Sequence, residues 1–444
     1  MKKVITYGTY DLLHYGHIKL LERAKRLGDY LIVGVTSDAF DKNRGKLNVQ
    51  QSVLERVEAI RSTGLADEII IEEYEGQKIA DIKKYDIDIF AIGSDWLGKF
   101  DYLKDYCEVV YLKRTDGISS TEIRINKNPI IKIGMIGLGN PAERVIKECR
   151  YVSGMSVWGA WDKNNPEFEN ICGRNDIHVF CDLDNMLKEV DAVYIARPIS
   201  EHAKLISQVL NAGCHVLCES PIFASVEMAT EAFTLAQRKK LVLFEAIKTL
   251  FFPAFERLML IVRSGTIGSV RDIDVSCSYI PDGIELMKKD KYQGCMYDWG
   301  SIMLLPIIKI LGIDYEDCIL YDYENNEYNY FIRGVLKYKK ATAVFKAGKG
   351  IKTEGEMIIT GTKGYIYIPA PWWKTDYFEI RYEDLRETKK YFYKFDGEGF
   401  RYELVAFAKM INQGILENNL YSKDEMISVI KIIEQFDKKE VQKM

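Results

Sequence analysis

The stretch "GTYDLLHYGH", residues 8–17, holds two of the chain's five histidines, His14 and His17. They follow the strand-like run "KVITY" and stand about one helical turn apart. Imidazoles so spaced serve as packed core groups, as two ligands of a metal ion, or as donors to an anion. Zinc usually takes three or four ligands, and no third His or Cys lies nearby in the sequence. For an anion, Gly8 and Gly16 let a ligand approach the backbone, and a helix beginning near Gly16 turns its free N–H groups toward it. A second set of residues lies in "GMIGLGNPA", again after a strand-like run. Gly137, Gly139 and Ala142 fit the G-x-G-x-x-A turn, and Asp162 closes the next strand, where an acid binds ribose hydroxyls. A glycine turn occurs in many strand–helix–strand units, but the strand context and the acid together favour a dinucleotide. Asp162 selects NAD over NADP, with Lys163 beside it blurring that choice.

The elements that must carry these residues alternate along most of the chain. In 1–125 the strand-like runs "KVITY", "YLIVGVT", "DEIIIE", "DIFAIG" and "EVVYL" are separated by amphipathic segments at 17–28, 52–63, 77–85 and 99–106. Continuous apolar strands joined by helices predict a parallel sheet covered on both faces, with ligands at the carboxyl ends of the strands. After the polar joint "RINKNP" the rhythm restarts with "IIKIGMIGLGN", then "VWGAWD", "HVFC", "AVYIARP", "HVLCESP" and "LVLFEAI". From about residue 270 the pattern changes to alternating, Tyr- and Val-rich segments typical of half-exposed antiparallel strands. Residues 400–438 return to helical spacing. The expected architecture is α/β: a parallel-sheet nucleotide-binding domain over 1–125, a Rossmann domain over 130–248, and an α+β domain with a largely antiparallel sheet over 249–444. The C-terminal helices are expected to pack back.

Composition excludes several classes. Of 444 residues, 47% are apolar and 28% charged, and the net charge of −4 gives no general attraction to nucleic acid or anionic membrane. The N-terminus lacks the apolar core of a secretory signal, and "SIMLLPIIKILG" is too short to span a bilayer and contains Pro306 and Lys309. Nine cysteines with no C-x-x-C pair read as reduced thiols, not as a disulfide framework or a zinc site. A cytoplasmic protein is expected, with no protein-held metal site.

"GTYDLLHYGH" resembles the HxGH signature of the nucleotidyltransferase superfamily, and "RTDGISST" (114–121) resembles the second signature of its cytidylyltransferase branch. With "GSDWLGKFDYLKDYCEVVYL" and "RTDGISSTEI", nearly all of 1–125 is similar to the bacterial glycerol-3-phosphate cytidylyltransferases. The resemblance implies that the phosphate of glycerol 3-phosphate attacks the α-phosphorus of CTP and expels pyrophosphate. A phosphate dianion needs no general base, so catalysis rests on positioning and charge neutralisation. It implies His14 and His17 on the triphosphate, Lys46 and Arg44 reaching it from "DKNRGK", and Arg114, Ser119 and Thr121 completing the clamp, with Mg²⁺ on the phosphates. Gly8, Thr9, Asp11, Gly16, Asp95 and Trp96 are the expected substrate-binding positions, Asp11 orienting the loop or a hydroxyl, and Arg56 facing the acceptor phosphate. Ser119 and Glu122 also read as a capping box. One departure stands out. The family's arginine before the third strand falls near Gly64 in "RSTGLADEI", with Arg61 three positions earlier.

"DAVYIARPISEHAKLISQVLNAGCHVLCESP" resembles the glucose–fructose oxidoreductase and inositol dehydrogenase family, as do "SGTIGSV", "DWGS", "GTKGYIYIP" and "GEGFRYEL". The resemblance adds Pro198, His202 and Glu219 to the cofactor-binding positions and implies a sheet used for substrate and oligomer contacts. A homodimer or homotetramer is expected. The catalytic positions depart from the family. Ser220 replaces its lysine in Glu-Lys-Pro, and Ile302 stands where its histidine follows "DWG". Lys248 and Asp298 are the titratable residues left, with Tyr292 and Tyr297 behind them. Lys248 is either a relocated proton donor or a surface lysine. Three arrangements follow: a bifunctional reductase and cytidylyltransferase making a CDP-polyol (from glycerol or a pentitol) for cell-envelope polymers, a cytidylyltransferase with a degenerate oligomerisation lobe, or one with an NAD-sensing lobe.

Overall fold

The computed structural model describes residues 1–13, 15–43, 49, 51–74, 76–113, 130–152, 154–162, 167–280, 292–325, 328–418 and 420–444, the backbone alone at 15, 42, 43, 95, 140 and 325. The chain divides into two compact units, Met1–Ile130 and Ile131–Met444.

In the first unit β1 (Lys3–Gly8), α1 (Tyr15–Lys25), β2 (Tyr30–Thr36), α2 (Asp38–Asn43), α3 (Val53–Ser62), β3 (Glu68–Glu72), α4 (Gln77–Tyr85), β4 (Ile89–Gly93) and β5 (Glu108–Leu112) follow in sequence. The strands form a parallel sheet in the order β3-β2-β1-β4-β5. Alternate residues serve opposite faces: Val4, Val33, Val35 and Ile89 meet Leu21 and Ile60 on one side, while Ile5, Ile32 and Phe90 meet Ile82 and Leu103 on the other. From β1 the chain moves outward through β2 and β3, then returns to β4 on the other flank. The order therefore reverses beside β1, and the loop leaving Gly8 opens at that switch point, where such sheets bind ligands. The helix expected over 99–106 is replaced by two short 3-10 turns, Ser94–Trp96 and Asp101–Asp105. Gly98 at φ +81° interrupts the run, and the Tyr111 hydroxyl on β5 accepts from Phe100 N–H at 3.2 Å and donates to Asp101 at 2.8 Å.

The second unit begins with β6 (Ile131–Ile136), β7 (Met155–Trp161), β8 (His178–Val179), β9 (Ala192–Ile195), β10 (His215–Glu219) and β11 (Leu243–Ala246), parallel in the order β11-β10-β9-β6-β7-β8. The expected strand at "HVFC" shrinks to two residues at the sheet edge, because the Phe180 ring turns in over Gly159, where a Cβ would lie 2.3 Å from it. A second, mixed sheet holds β12 (Val270–Tyr279), β13 (Asp317–Asn325), β14 (Tyr328–Lys337), β15 (Thr342–Lys349), β16 (Met357–Gly361), β17 (Tyr365–Ile368), β18 (Tyr377–Arg381), β19 (Lys389–Phe392) and β20 (Gln442–Lys443). It is largely antiparallel, with parallel pairs β12–β15 and β13–β20. The apolar run around Pro306 is the core helix Cys295–Leu311, buried along most of its length. Helix Phe400–Gln413 packs on helix Asn140–Cys149, where Arg401 forks onto Glu148 at 2.8 and 3.0 Å. No described helix is long and apolar enough to cross a membrane.

Candidate functional site

The loop after β1 holds an unusual backbone. Tyr10 and Leu12 have φ of +55° and +49°, a region that costs a non-glycine residue about 1–3 kcal/mol. The surroundings hold it there. Leu12 N–H donates to Gln51 Oε1 at 2.8 Å, and Gln51 N–H donates to Asp11 Oδ1 at 3.0 Å. Thr9 Oγ1 donates to Asp41 Oδ1 at 2.8 Å. Thr9 and Asp11 are both buried. Gly8 leaves room for the Tyr10 ring, which a Cβ would approach to 2.9 Å. The ring in turn stands edge-on to the His17 imidazole, with centroids 5.5 Å apart. Gly16 and His17 lie in the first turn of α1, whose N–H groups face the switch point. Trp96, in the turn after β4, tilts against Phe100 and lies beneath Lys99.

Arg56 is the hub of this frame. It is fully buried on α3, whose start is fixed by the capping box of Ser52 and Glu55. Its Nε donates to Gln51 O at 3.0 Å, its Nη1 to Thr9 O at 2.6 Å and Thr36 O at 2.9 Å, and its Nη2 to Asp38. Asp41, also buried, lies 3.4 Å from Nη1. The guanidinium is thus occupied in joining β1, β2, α2 and α3. Arg61 is exposed and paired with Glu58, and Gly64 at φ +66° ends the turn after α3. Asp38, Asp41 and Gln51 are structural partners that motif spacing did not single out. His14, Arg44, Lys46, Arg114, Ser119, Thr121 and Glu122 lie outside the described residues, as does the side chain of Asp95.

In the second unit Gly137 follows β6 at φ +85°, and a Cβ there would meet Ala196 O at 2.3 Å. Only glycine fits. Gly139 precedes helix Asn140–Cys149, and Ala142 is fully buried within it. Asp162 lies just past β7, accepting from Leu138 N–H at 3.2 Å and from Arg197 Nη1 at 3.1 Å. Arg197 also bonds Glu201 at 2.8 Å. An open glycine turn, a helix start and a strand-end acid fit the pyrophosphate and ribose of a dinucleotide. Lys163 is outside the described residues. Pro198 precedes helix Ile199–Asn211, and His202 within it is buried, with Nδ1 3.1 Å from Ile222 O and Nε2 2.7 Å from Arg197 O. Burial lowers its pKa. His202 here ties two strand-end loops together.

Glu219 ends β10 and takes a hydrogen bond from the Tyr194 hydroxyl; burial raises its pKa. Lys248 opens a short turn after β11. It is not a surface lysine: it is half-buried, with Nζ 3.9 Å from the Phe400 ring centroid. Burial, then Lys374, pushes its pKa down to about 8. Asp298 is paired with Lys349 at 2.8 Å. Tyr297 donates to Asp437 at 2.8 Å and meets Tyr292 edge-on. Ser220 and Ile302 are half-buried. Among the described residues no group of three or more His, Cys, Asp or Glu could hold a metal ion.

Comparison with known proteins separates the two units. A family model described as "Cytidylyltransferase-like" matches residues 5–126, and one described as "Oxidoreductase family, NAD-binding Rossmann fold" matches 131–247. The chain is 59% identical over 124 residues to the glycerol-3-phosphate cytidylyltransferase of Bacillus spizizenii, covering 28% of this chain and 95% of that protein. It is 24% identical over 333 residues to a scyllo-inositol 2-dehydrogenase (NADP(+)) of Bacillus subtilis, covering 69% of this chain and 96% of that protein. In fold it is similar to a 3-ketoreductase from Actinomadura kijaniata solved with NADP and TDP-benzene, at a TM-score of 0.63 and 19% identity, covering 71% of this chain and 98% of that one.

Proposed function

From the premise that this chain belongs to the cytidylyltransferase-like family, with an oxidoreductase-like region fused behind it, we propose that the first unit joins CTP to glycerol 3-phosphate or a similar polyol phosphate. The products are a CDP-polyol and pyrophosphate. The observation that carries this is the 59% identity over 124 residues, spanning 95% of a glycerol-3-phosphate cytidylyltransferase. The strained loop at the β1 switch point supports it, since strain is kept where a ligand needs the geometry. The acceptor's phosphate dianion is the nucleophile. His14 and His17 donate to the triphosphate; Lys46, Arg44, Arg114, Ser119 and Thr121 supply further donors and charge; Arg56 acts by holding Thr9 and the α2 carboxylates in place. Mg²⁺ arrives with the triphosphate and neutralises its charge when bound. The product suits transfer into an envelope polymer.

The test is pyrophosphate release from CTP with a panel of phosphorylated polyols, glycerol 3-phosphate and pentitol phosphates included. His14→Ala and His17→Ala are each expected to lower kcat by about 100-fold or more. Unchanged rates in both would sink the assignment.

For the second unit, we read Gly137, Gly139, Ala142, Asp162, Pro198 and Glu219 as a nicotinamide dinucleotide site within a Rossmann domain over 130–248. The half-buried Lys248 favours the bifunctional arrangement over a degenerate lobe, because a proton donor remains beside the strand ends. Asp162 favours NAD, while the Arg197 paired with it is a cation that could meet a 2′-phosphate.

A further inference from the structure

Behind the strand ends of the second unit lie acid and base groups that the glycine turn does not use. Tyr194 on β9 is buried and donates to Glu219 Oε1 at the end of β10. Lys248, after β11, sits over Phe400. Glu403 stands one helical turn beyond Phe400, on the same face of helix Phe400–Gln413. Its side chain is 1% exposed, and among the described residues neither carboxyl oxygen has a hydrogen-bond partner. An ionised carboxylate in that position has lost its water and gained no donor. Glu219 and Lys248 are half-buried, so solvent still reaches part of each.

The charges of these groups depend on one another. Burial, then Glu219, pushes Glu403 well up, while Lys248 pulls it back. Burial, Lys374 and Arg144 favour the neutral amine of Lys248; Glu403 and Glu398 favour the cation. Burial raises Glu219, against the Tyr194 bond and Lys248. The two carboxyls and the amine thus influence one another's charge.

We propose that Lys248 is the proton donor of this unit, meeting the oxygen of a small hydroxy or keto compound, with Glu403 as the positioning group whose negative charge favours the ammonium. This rests on the reading that the unit holds a nicotinamide dinucleotide. In the reducing direction the carbonyl carbon takes a hydride from the reduced nicotinamide, and the carbonyl oxygen takes a proton from the Lys248 ammonium. The C=O double bond becomes a C–OH single bond, and the nicotinamide is oxidised. Lys248, left as an amine, regains its proton from solvent, which its half-buried side chain still meets. The lysine missing at Ser220 is thereby supplied from the neighbouring strand end.

The test is competitive acetylation of Lys248 across pH in the full chain, read by mass spectrometry. The wild-type midpoint is expected near 8, against about 10.4 for an ordinary lysine. Glu403→Gln lowers the midpoint by about half a unit or more, and Glu403→Asp, which keeps a carboxyl, restores most of it. A wild-type midpoint in the ordinary lysine range overturns the proposal. So does an unchanged midpoint in a Glu403→Gln protein that binds NADPH normally. Fluorescence titration with NADPH and NADH tests the underlying reading separately: no binding by the wild type removes the dinucleotide whatever the Lys248 midpoint. On a keto compound that the wild type reduces, Lys248→Met is expected to lose about 100-fold in kcat at unchanged dinucleotide KM. A variant that keeps its rate also overturns the proposal.

Discussion

Arg56 shows how one residue can matter to a site by facing away from it. Its donors join Thr9, Thr36, Gln51 and Asp38, with the buried Asp41 alongside. Arg56→Met is expected to destabilise the first unit by about 3–5 kcal/mol, because Asp41 is left buried without its cation. Arg56→Lys recovers little, since a single ammonium cannot span the same oxygens; urea melts of the three proteins make the comparison. Glu245 on β11 gives a pH-dependent counterpart. Burial pushes its pKa up to about 7. The folded state then holds that proton more tightly than the unfolded chain. The associated stability is complete below the unfolded carboxyl value and fades as pH rises through 7. The second unit should therefore melt lower at pH 8 than at pH 5.5, and Glu245→Gln should flatten that slope. Arg197 makes a third case: Arg197→Ala removes the cation beside Asp162 and should weaken NADP more than NAD, as read by paired titrations.

At the scale of elements, the turn after β6 leaves no room for a side chain. Gly137→Ala would set a methyl 2.3 Å from Ala196 O in a backbone that side chains avoid. We expect loss of dinucleotide binding and about 1–3 kcal/mol of stability, checked by thermal melts with and without NADPH. Both parallel sheets were legible because buried parallel strands read as unbroken Val, Ile and Leu runs. The 99–106 segment misled because its apolar residues serve ring packing, Phe100 against Tyr102 at the 3-10 turn Asp101–Asp105, and not a continuous helix. "HVFC" misled because Phe180 is apolar for the sake of Gly159, not for a strand ladder. Local pattern does not distinguish a residue that faces a core from one that caps an edge.

Across the whole molecule, the two proposed nucleotide sites lie on different units of one chain. CTP should slow amide exchange around residues 8–17, and NADPH around 134–142; a swap of these footprints would reverse the assignments. The glycines, the acid after β7 and the histidine pair stand out in the sequence because nucleotide binding would call for those types at that spacing. Asp38, Asp41, Gln51, Arg197 and Glu403 were not, because their roles come from contacts between segments distant in sequence. Glu403 sits in "GEGFRYEL", a stretch whose helical pattern reveals a buried face but not that it holds a carboxyl with no hydrogen-bond partner among the described residues.

The missing side chain at Gly8 has one further consequence. The Tyr10 ring fills that space on one side and presses the His17 imidazole on the other. The three residues form a lever with Tyr10 as its arm. A single methyl at position 8 would swing the ring and displace the imidazole without touching it. On the proposed reading, such a change would be felt as a misaimed donor, in a protein that still folds.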